Sequence, residues 1–243
     1  MRRTRLAALV ASAAALLAPG VAQALSVYAA TSLSNVFPAL DRSPEYSFGG
    51  SNTLQLQIER GAPADVFASA SPDEAQALFR EGLCSRPVTF AVNRLVLLVP
   101  NSNPGHVTSV YSLRSGGRKL SIGIGTVPIG AYTRRLLRRM RLSSILSSNT
   151  VSQQTNVGQI ASQVALGSAD AGFVYYTDAL AVKGRTRMIS LPRWAQPPVR
   201  YQMCAVRRPG ADTRGAAAFI RKVTGRAGRG TLKRHGFGLP PRS

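Results

Sequence analysis

At 243 residues the chain can bury a substantial core, as one large domain or two small lobes. Its 31 Lys and Arg against 10 Asp and Glu give a formal charge of +21, which points to nucleic acid, anionic membranes or small anions as partners. No zinc-finger spacing, RNP motif or aromatic–basic interleaving supports nucleic-acid recognition, and no His/Cys/carboxylate cluster has metal-ligand spacing.

The N-terminus reads as a secretion signal. Basic Met1-Arg2-Arg3-Thr4-Arg5 precedes an apolar run from Leu6 to Ala18, and Ala22-Gln23-Ala24 is a small-x-small site that predicts cleavage before Leu25. The run is too short to span about 30 Å of hydrocarbon comfortably, so no stable membrane insertion is expected. Without residues 1–24 the balance is 28 Lys and Arg against 10 Asp and Glu, or +18. The product is expected to be periplasmic or secreted.

From there strand-like runs alternate with helical patterns, the α/β signature. Residues 26–30 read as a strand that breaks at Thr31-Ser32, and 33–40 as a short helix. A second strand at 46–48 leads into Gly49-Gly50-Ser51-Asn52 and an amphipathic helix over 53–60. Residues 65–69 form a buried strand, and Ser71-Pro72-Asp73-Glu74 is a helix start: Ser as cap, Pro in the first turn, Glu three residues on. Strands follow at 95–99 and 120–124, the latter running into Val127-Pro128-Ile129-Gly130. The next helix carries Arg134, Arg135, Arg138, Arg139 and Arg141 around Leu136, Leu137 and Met140, the pattern of a solvated helix face. Asn156 caps a helix with an apolar stripe at Val157, Ile160, Ala161, Val164 and Ala165. A buried strand at 172–176, a strand at 201–206 and a helix at 216–223 complete the pattern, and a last helix stops at Gly236, a left-handed cap. The expected fold is a two-lobed α/β arrangement crossing between lobes near 92–100 and 200–206. Lobe I comprises 25–91 and 204–243, and lobe II 92–203.

The chemistry lies in the polar breaks Thr31-Ser32, Gly50-Ser51-Asn52 and Asn156-Val157. Each sets a hydroxyl or amide and free backbone N–H groups at a helix start, which binds anions without a cationic side chain. Taken singly, each is an ordinary N-cap; their combination carries the functional reading. His106 and His235 lie near no candidate nucleophile, so catalysis is not expected. Asp65 and Asp178 read as capping or bridging residues. Cys84 and Cys204 can form a disulfide in an oxidising compartment or stay as two buried thiols.

These residues resemble the periplasmic molybdate-binding proteins of ABC transporters, along nearly all of the mature chain. The resemblance is carried by Ala29-Ala30-Thr31-Ser32-Leu33, by Phe48-Gly49-Gly50-Ser51-Asn52-Thr53-Leu54, and above all by residues 57–67, which end in Gly61-Ala62-Pro63-Ala64-Asp65-Val66-Phe67. Asn93-Arg94-Leu95, Thr126-Val127-Pro128-Ile129-Gly130, Ala169-Asp170-Ala171-Gly172-Phe173-Val174-Tyr175 and Gly236-Phe237 extend it. It implies a periplasmic-binding-protein-like fold, each lobe a mixed sheet flanked by helices, with the ligand in the cleft. It implies five donors: the hydroxyls of Ser32, Ser51 and Tyr175 and the backbone N–H groups of Ile129 and Val157. Ile129 stands where the family usually has Ala, after a loop that looks shortened.

A donor-only site of this kind suits a fully ionised dianion such as molybdate, tungstate or sulfate. Hydrogen phosphate, with a proton to donate, needs an acceptor such as a carboxylate. The expected function is capture of molybdate or tungstate for an ABC permease, by a monomer without cofactor or bound metal ion. The alternatives are another tetrahedral oxyanion such as sulfate or, with the signal peptide and neutral loops against it, a basic nucleic-acid-binding or envelope structural protein.

Overall fold

A computed structural model of the chain describes residues 24–241. The export signal expected at 1–24 therefore lies, but for Ala24, outside the described residues.

The strand β1, Ser26–Ala30, sets Val27 and Ala29 wholly inside. A 3-10 turn follows at Thr31–Leu33, then α1 at Phe37–Leu40. The sequence reads as one helix over 33–40, but Pro38 splits it. Proline has no N–H to give the Ser34 carbonyl, and its ring would clash with that oxygen, so it is tolerated only in a helix's first turn. β2, Glu45–Gly49, pairs parallel with β1 and delivers Gly50 to the start of α2, Ser51–Glu59. β3, Val66–Ser69, lies along the other edge of β1. Ser71 caps α3, Pro72–Arg80, by accepting the Asp73 N–H at 3.3 Å.

β4, Val88–Asn93, and β5, Leu95–Pro100, are separated by Arg94 alone, yet belong to different sheets. The middle of the chain supplies β6 at Lys119–Gly123, α4 at Pro128–Arg139, α5 at Ile145–Ser148, β7 at Thr150–Gln154 and α6 at Val157–Ala165. There follow β8 at Ala171–Tyr175, α7 at Tyr176–Ala181 and β9 at Thr186–Ser190. β10, Val199–Ala205, precedes α8, Thr213–Thr224, and α9, Arg226–Arg234. Among the described residues the strands form two mixed sheets of five, ordered β2-β1-β3-β10-β4 and β7-β6-β8-β5-β9. Each is flanked by helices, so the fold is a two-lobed α/β arrangement.

The two crossings lie at Arg94 and across 191–198. The strand expected to cross at 200–206 instead pairs with β3 and β4 in the first sheet, from Val199 opposite Asn93 onwards. Pro192, Pro197 and Pro198 explain the shift: without N–H donors they cannot extend a ladder, so pairing begins only after them. The first sheet thus keeps Asn93 and starts its return at Val199, a few residues beyond the limits read from sequence at 91 and 204. The Gln196 side chain ties the crossings together, accepting the Leu95 N–H at 2.9 Å and donating to the Leu95 carbonyl at 2.8 Å. Beside them the Arg94 guanidinium lies 3.6 Å over the Tyr176 ring.

Other expectations resolve locally. Ile160 and Val164 of α6 are fully buried and Val157 and Ala161 nearly so, and burying an aliphatic side chain stabilises by about 1.5–3 kcal/mol. On α4, Leu136 and Leu137 face the core while Arg138 and Arg139 are exposed as the pattern implies, but Arg134 is half-buried and donates to the Gly123 carbonyl at 2.8 Å. Gly236 is left-handed, at φ +88°. Asp65 bridges: its carboxylate accepts the Ser26 N–H at 2.9 Å and the Asp212 N–H at 3.0 Å, and pairs with Arg208 at 2.8 Å. Cys84 and Cys204 are disulfide-bonded with Cα atoms 5.9 Å apart, in a small core with Leu54, Ile58, Phe67 and Leu78. Among the described residues no helix is long and apolar enough to cross a membrane.

Candidate functional site

The strand-to-helix breaks converge on one cavity of about 20 Å³, on a scale where a water molecule needs roughly 10–15 Å³. Thr31, Ser32, Gly50, Ser51 and Ala70 line it from the first lobe, and Val127, Ile129, Asn156, Val157 and Tyr175 from the second. All five residues singled out from the sequence are therefore brought together, and no lining residue carries a formal charge.

Ser32 sits in the 3-10 turn where β1 ends, with its Oγ 2.9 Å from the buried Tyr201 hydroxyl. Ser51 opens α2, and its Oγ accepts the Ala70 N–H at 3.0 Å, which leaves its single proton free to point elsewhere. Glu74 steadies the turn that presents Ala70, since its carboxylate accepts from the Ser69 hydroxyl at 2.8 Å and from the Ser71 hydroxyl. Burial holds the Glu74 pKa above its ordinary value.

On the facing wall, Pro128 opens α4 and leaves the Ile129 N–H, which takes no protein acceptor among the described residues. The Ile129 side chain belongs to the core and packs on Gly123, where an added Cβ would come within 2.9 Å of it. Asn156 caps α6 by accepting the Gln159 N–H at 3.0 Å, and the Val157 N–H is left without a protein acceptor among the described residues.

Tyr175 ends β8, is 1% exposed, and its hydroxyl has no hydrogen-bond partner among the described residues. Burial raises its pKa well above the ordinary value, so it stays protonated and able to donate. Its ring stacks edge-on with Tyr201 at 5.8 Å and Tyr132 at 6.5 Å. The Thr31 hydroxyl is also buried and unpartnered in this wall. The sequence reading passed it over as a ligand, although its place beside Ser32 in the same break was the available signal. Buried polar groups are rarely left unsatisfied, so two orphan hydroxyls beside free N–H groups mark where a hydrogen-bond acceptor belongs.

The lobes are closed over the cavity. An added Cβ on Gly50 would lie 2.3 Å from the Thr155 carbonyl oxygen of the opposite lobe, and the Asn52 side chain donates to Thr126 across the cleft at 3.4 Å. Neither His106 nor His235 lines the cavity; His235 Nδ1 lies 2.9 Å from the Thr231 carbonyl oxygen. Among the described residues no group of three or more His, Cys, Asp or Glu could hold a metal ion.

Asp178 lies buried in α7, outside this cavity, with the Thr177 hydroxyl donating to it at 3.4 Å. Burial pushes its pKa up to about 7. Its protonated form therefore contributes stability that is full below about pH 4, the ordinary carboxyl range, and is lost as pH rises through 7. The melting temperature of Asp178→Asn should gain on that of the parent between pH 5 and pH 8. A difference that stays constant over that range would reject this account.

Comparison with known proteins gives the site a context. The family model for bacterial extracellular solute-binding proteins matches residues 43–238. The molybdate-binding protein ModA of Mycobacterium tuberculosis is 31% identical over 229 residues, covering 90% of this chain and 86% of its own. The solved periplasmic molybdate-binding protein of Azotobacter vinelandii superposes with a TM-score of 0.79 at 26% identity, over 89% of this chain and all of that one. A tungstate ABC transporter structure from Geobacter sulfurreducens shares the fold at a TM-score of 0.69 and 16% identity, over 86% of this chain and 97% of that one.

Proposed function

The chain belongs to the bacterial extracellular solute-binding protein family, and from that premise we propose that it captures molybdate or tungstate outside the cytoplasm for an ABC importer. It is a solute-binding protein, not an enzyme, and works without a cofactor; the oxyanion is its cargo. Its likeness to molybdate-binding proteins runs over nine-tenths of the chain.

The observation that supports the reading is the uncharged cavity lined by Ser32, Ser51, Ile129, Val157 and Tyr175, whose hydroxyls and backbone N–H groups are the donors in this reading. A buried dianion is very costly unless its oxygens are hydrogen-bonded. Oriented hydroxyl and N–H dipoles at helix starts meet that need without a countercharge. The Thr31 hydroxyl is a sixth donor in this reading. No carboxylate lines the cavity, which disfavours hydrogen phosphate. The arginine-rich surface raises the local concentration of anions and speeds their encounter.

In this reading the chain acts as a monomer, is exported by the signal at 1–24 and presents the closed, loaded form to a permease. Ser32→Ala, Ser51→Ala and Tyr175→Phe should each weaken molybdate binding by roughly 1.5–3 kcal/mol, the worth of a hydrogen bond to a charged group. Without ligand Tyr175→Phe should melt close to the parent, and Ser32→Ala and Ser51→Ala lower by the cost of the buried partners they leave unpaired, the Tyr201 hydroxyl and the Ala70 N–H. Calorimetric titration with molybdate, tungstate, sulfate and phosphate checks both the site and the cargo. Parental affinity in all three variants would reject the site, and tighter binding of sulfate than of molybdate would reject the cargo.

A further inference from the structure

We propose that Asn93 and Tyr201 are positioning residues that fix the direction of the Ser32 hydroxyl, turning its proton toward the oxyanion. The proposal rests on the reading of Ser32 as a ligand donor and adds what makes it one. A serine hydroxyl can donate or accept, so its mere presence in the wall does not decide which it offers. The hydrogen bonds behind it do.

The chain of constraints starts at the first crossing between the lobes. Asn93 Oδ1 accepts the Arg94 N–H at 2.9 Å, which fixes the side-chain amide with its NH₂ group facing inward. That Nδ2 donates to the Thr177 hydroxyl at 3.0 Å and to the Tyr201 hydroxyl at 3.4 Å. Tyr201 is fully buried, and among the described residues its only other hydrogen-bond partner is Ser32 Oγ at 2.9 Å. An amide NH₂ cannot accept, so the phenol proton has one acceptor within reach, Ser32 Oγ. Were Ser32 to donate instead, the phenol proton would be orphaned in the core, at the cost of an unmade buried hydrogen bond. Tyr201 therefore donates to Ser32, and the Ser32 proton is left for the cavity.

The phenol holds this role over a wide pH range. Burial, with Asp178 adding to it, raises its pKa well above the ordinary value. Its ring is gripped edge-on by Tyr175, Phe90 and Phe237, with centroids 5.8, 6.1 and 5.4 Å away. Ser51 is treated alike by a different device, since the Ala70 N–H occupies its acceptor side. Both serines are thereby presented as donors, one through a backbone group and one through a relay anchored at the crossing. Because Asn93 also reaches Thr177 in the second lobe, the relay is braced from both sides of the junction.

The test is a pair of double-mutant cycles read by molybdate titration. Tyr201→Phe keeps the ring packing and removes the proton given to Ser32; affinity should fall roughly 3- to 10-fold, the worth of one neutral hydrogen bond. In a Ser32→Ala background the same change should do almost nothing. Asn93→Asp is nearly isosteric but can only accept, so Tyr201 should turn to it, Ser32 should donate backward, and lone pairs should face the anion. Its loss should exceed that of Tyr201→Phe and should shrink to a bare charge effect when Tyr201 is already Phe.

If Tyr201→Phe binds like the parent, or its loss multiplies with that of Ser32→Ala, the relay is overturned. Equal cost of Asn93→Asp with and without the phenol overturns its direction. Parental affinity in Ser32→Ala alone would instead reject the donor reading of Ser32 itself. Ligand-free melting curves should show a cooperative transition for every folded variant, and those of any unfolded variant would identify it. For that case Asn93→Leu supplies a second probe: it removes the amide without reversing Tyr201, so its loss should stay below that of Asn93→Asp, and an equal or greater loss counts against the relay.

Discussion

Gly50→Ala should lower molybdate affinity at least a hundredfold, about 3 kcal/mol on the affinity scale, while leaving the ligand-free protein as stable as the parent. Gly50 precedes α2 at φ −66° and ψ 134°, an extended conformation that alanine adopts without strain. The added methyl would nonetheless lie 2.3 Å from the Thr155 carbonyl oxygen, which belongs to the opposite lobe. Carbonyl oxygen of the backbone cannot rotate away as a flexible side chain could, so the lobes would have to stand apart. Neither wall alone can satisfy a tetrahedral dianion, because Ser32 and Ser51 sit on one side and Ile129, Val157 and Tyr175 on the other. An anion favours the closed form only through its differential affinity for it, and the methyl would erase much of that difference. Small-angle scattering should show the parent compacting on adding molybdate but not chloride, with the variant staying expanded. Parental affinity in Gly50→Ala would mean that the closed arrangement is not the one that binds.

Breaking the Cys84–Cys204 bond should cost a large share of the global stability while leaving molybdate binding nearly intact. The bond joins residues 120 positions apart, and removing a native disulfide typically costs about 2–5 kcal/mol. At roughly 2–4 °C per kcal/mol for a chain of this size, the double change Cys84→Ala and Cys204→Ala should lower the melting temperature by about 4–20 °C. Both cysteines are fully buried with Leu54, Ile58 and Phe67, so lost packing adds to the lost cross-link. Neither lines the cavity, and molybdate affinity should change little. Thiol titration of the denatured, unreduced protein should find no free thiol. Two free thiols, or a melting temperature indifferent to the substitution, would reject the cross-link as a source of stability.

Much of the architecture was legible in the chain because it depends on near neighbours. The 3.6-residue stripe of α6, the Ser71 and Asn156 caps and the apolar run of β5 are decided within a few residues by helix geometry, donor satisfaction and burial. Short or exposed elements escaped. β7 carries Ser152, Gln153 and Gln154, and β9 exposes Arg187 and Met188. Such strands are held by pairing to a neighbour and not by their own pattern, which is why only the assembled sheet reveals them.

For the candidate site the division is sharper. The sequence by itself determined the breaks, since a hydroxyl or amide at a strand end followed by an apolar helix must leave free N–H groups there. Resemblance then singled out Ser32, Ser51 and Val157 among them and added Ile129 and Tyr175 from outside them. Only the tertiary structure decided that Thr31 joins their wall, that Ile129 turns its side chain to the core, and that Gly50 meets Thr155 across the cleft. It alone decided that Cys84 reaches Cys204, which the chain left open, and that the Ser32 hydroxyl is backed by Tyr201, 169 residues away. The physical reason is range. Capping and periodicity act over one helical turn, whereas the direction of a hydroxyl proton, the closure of a cleft and the reach of a disulfide depend on which distant segments the two sheets place side by side.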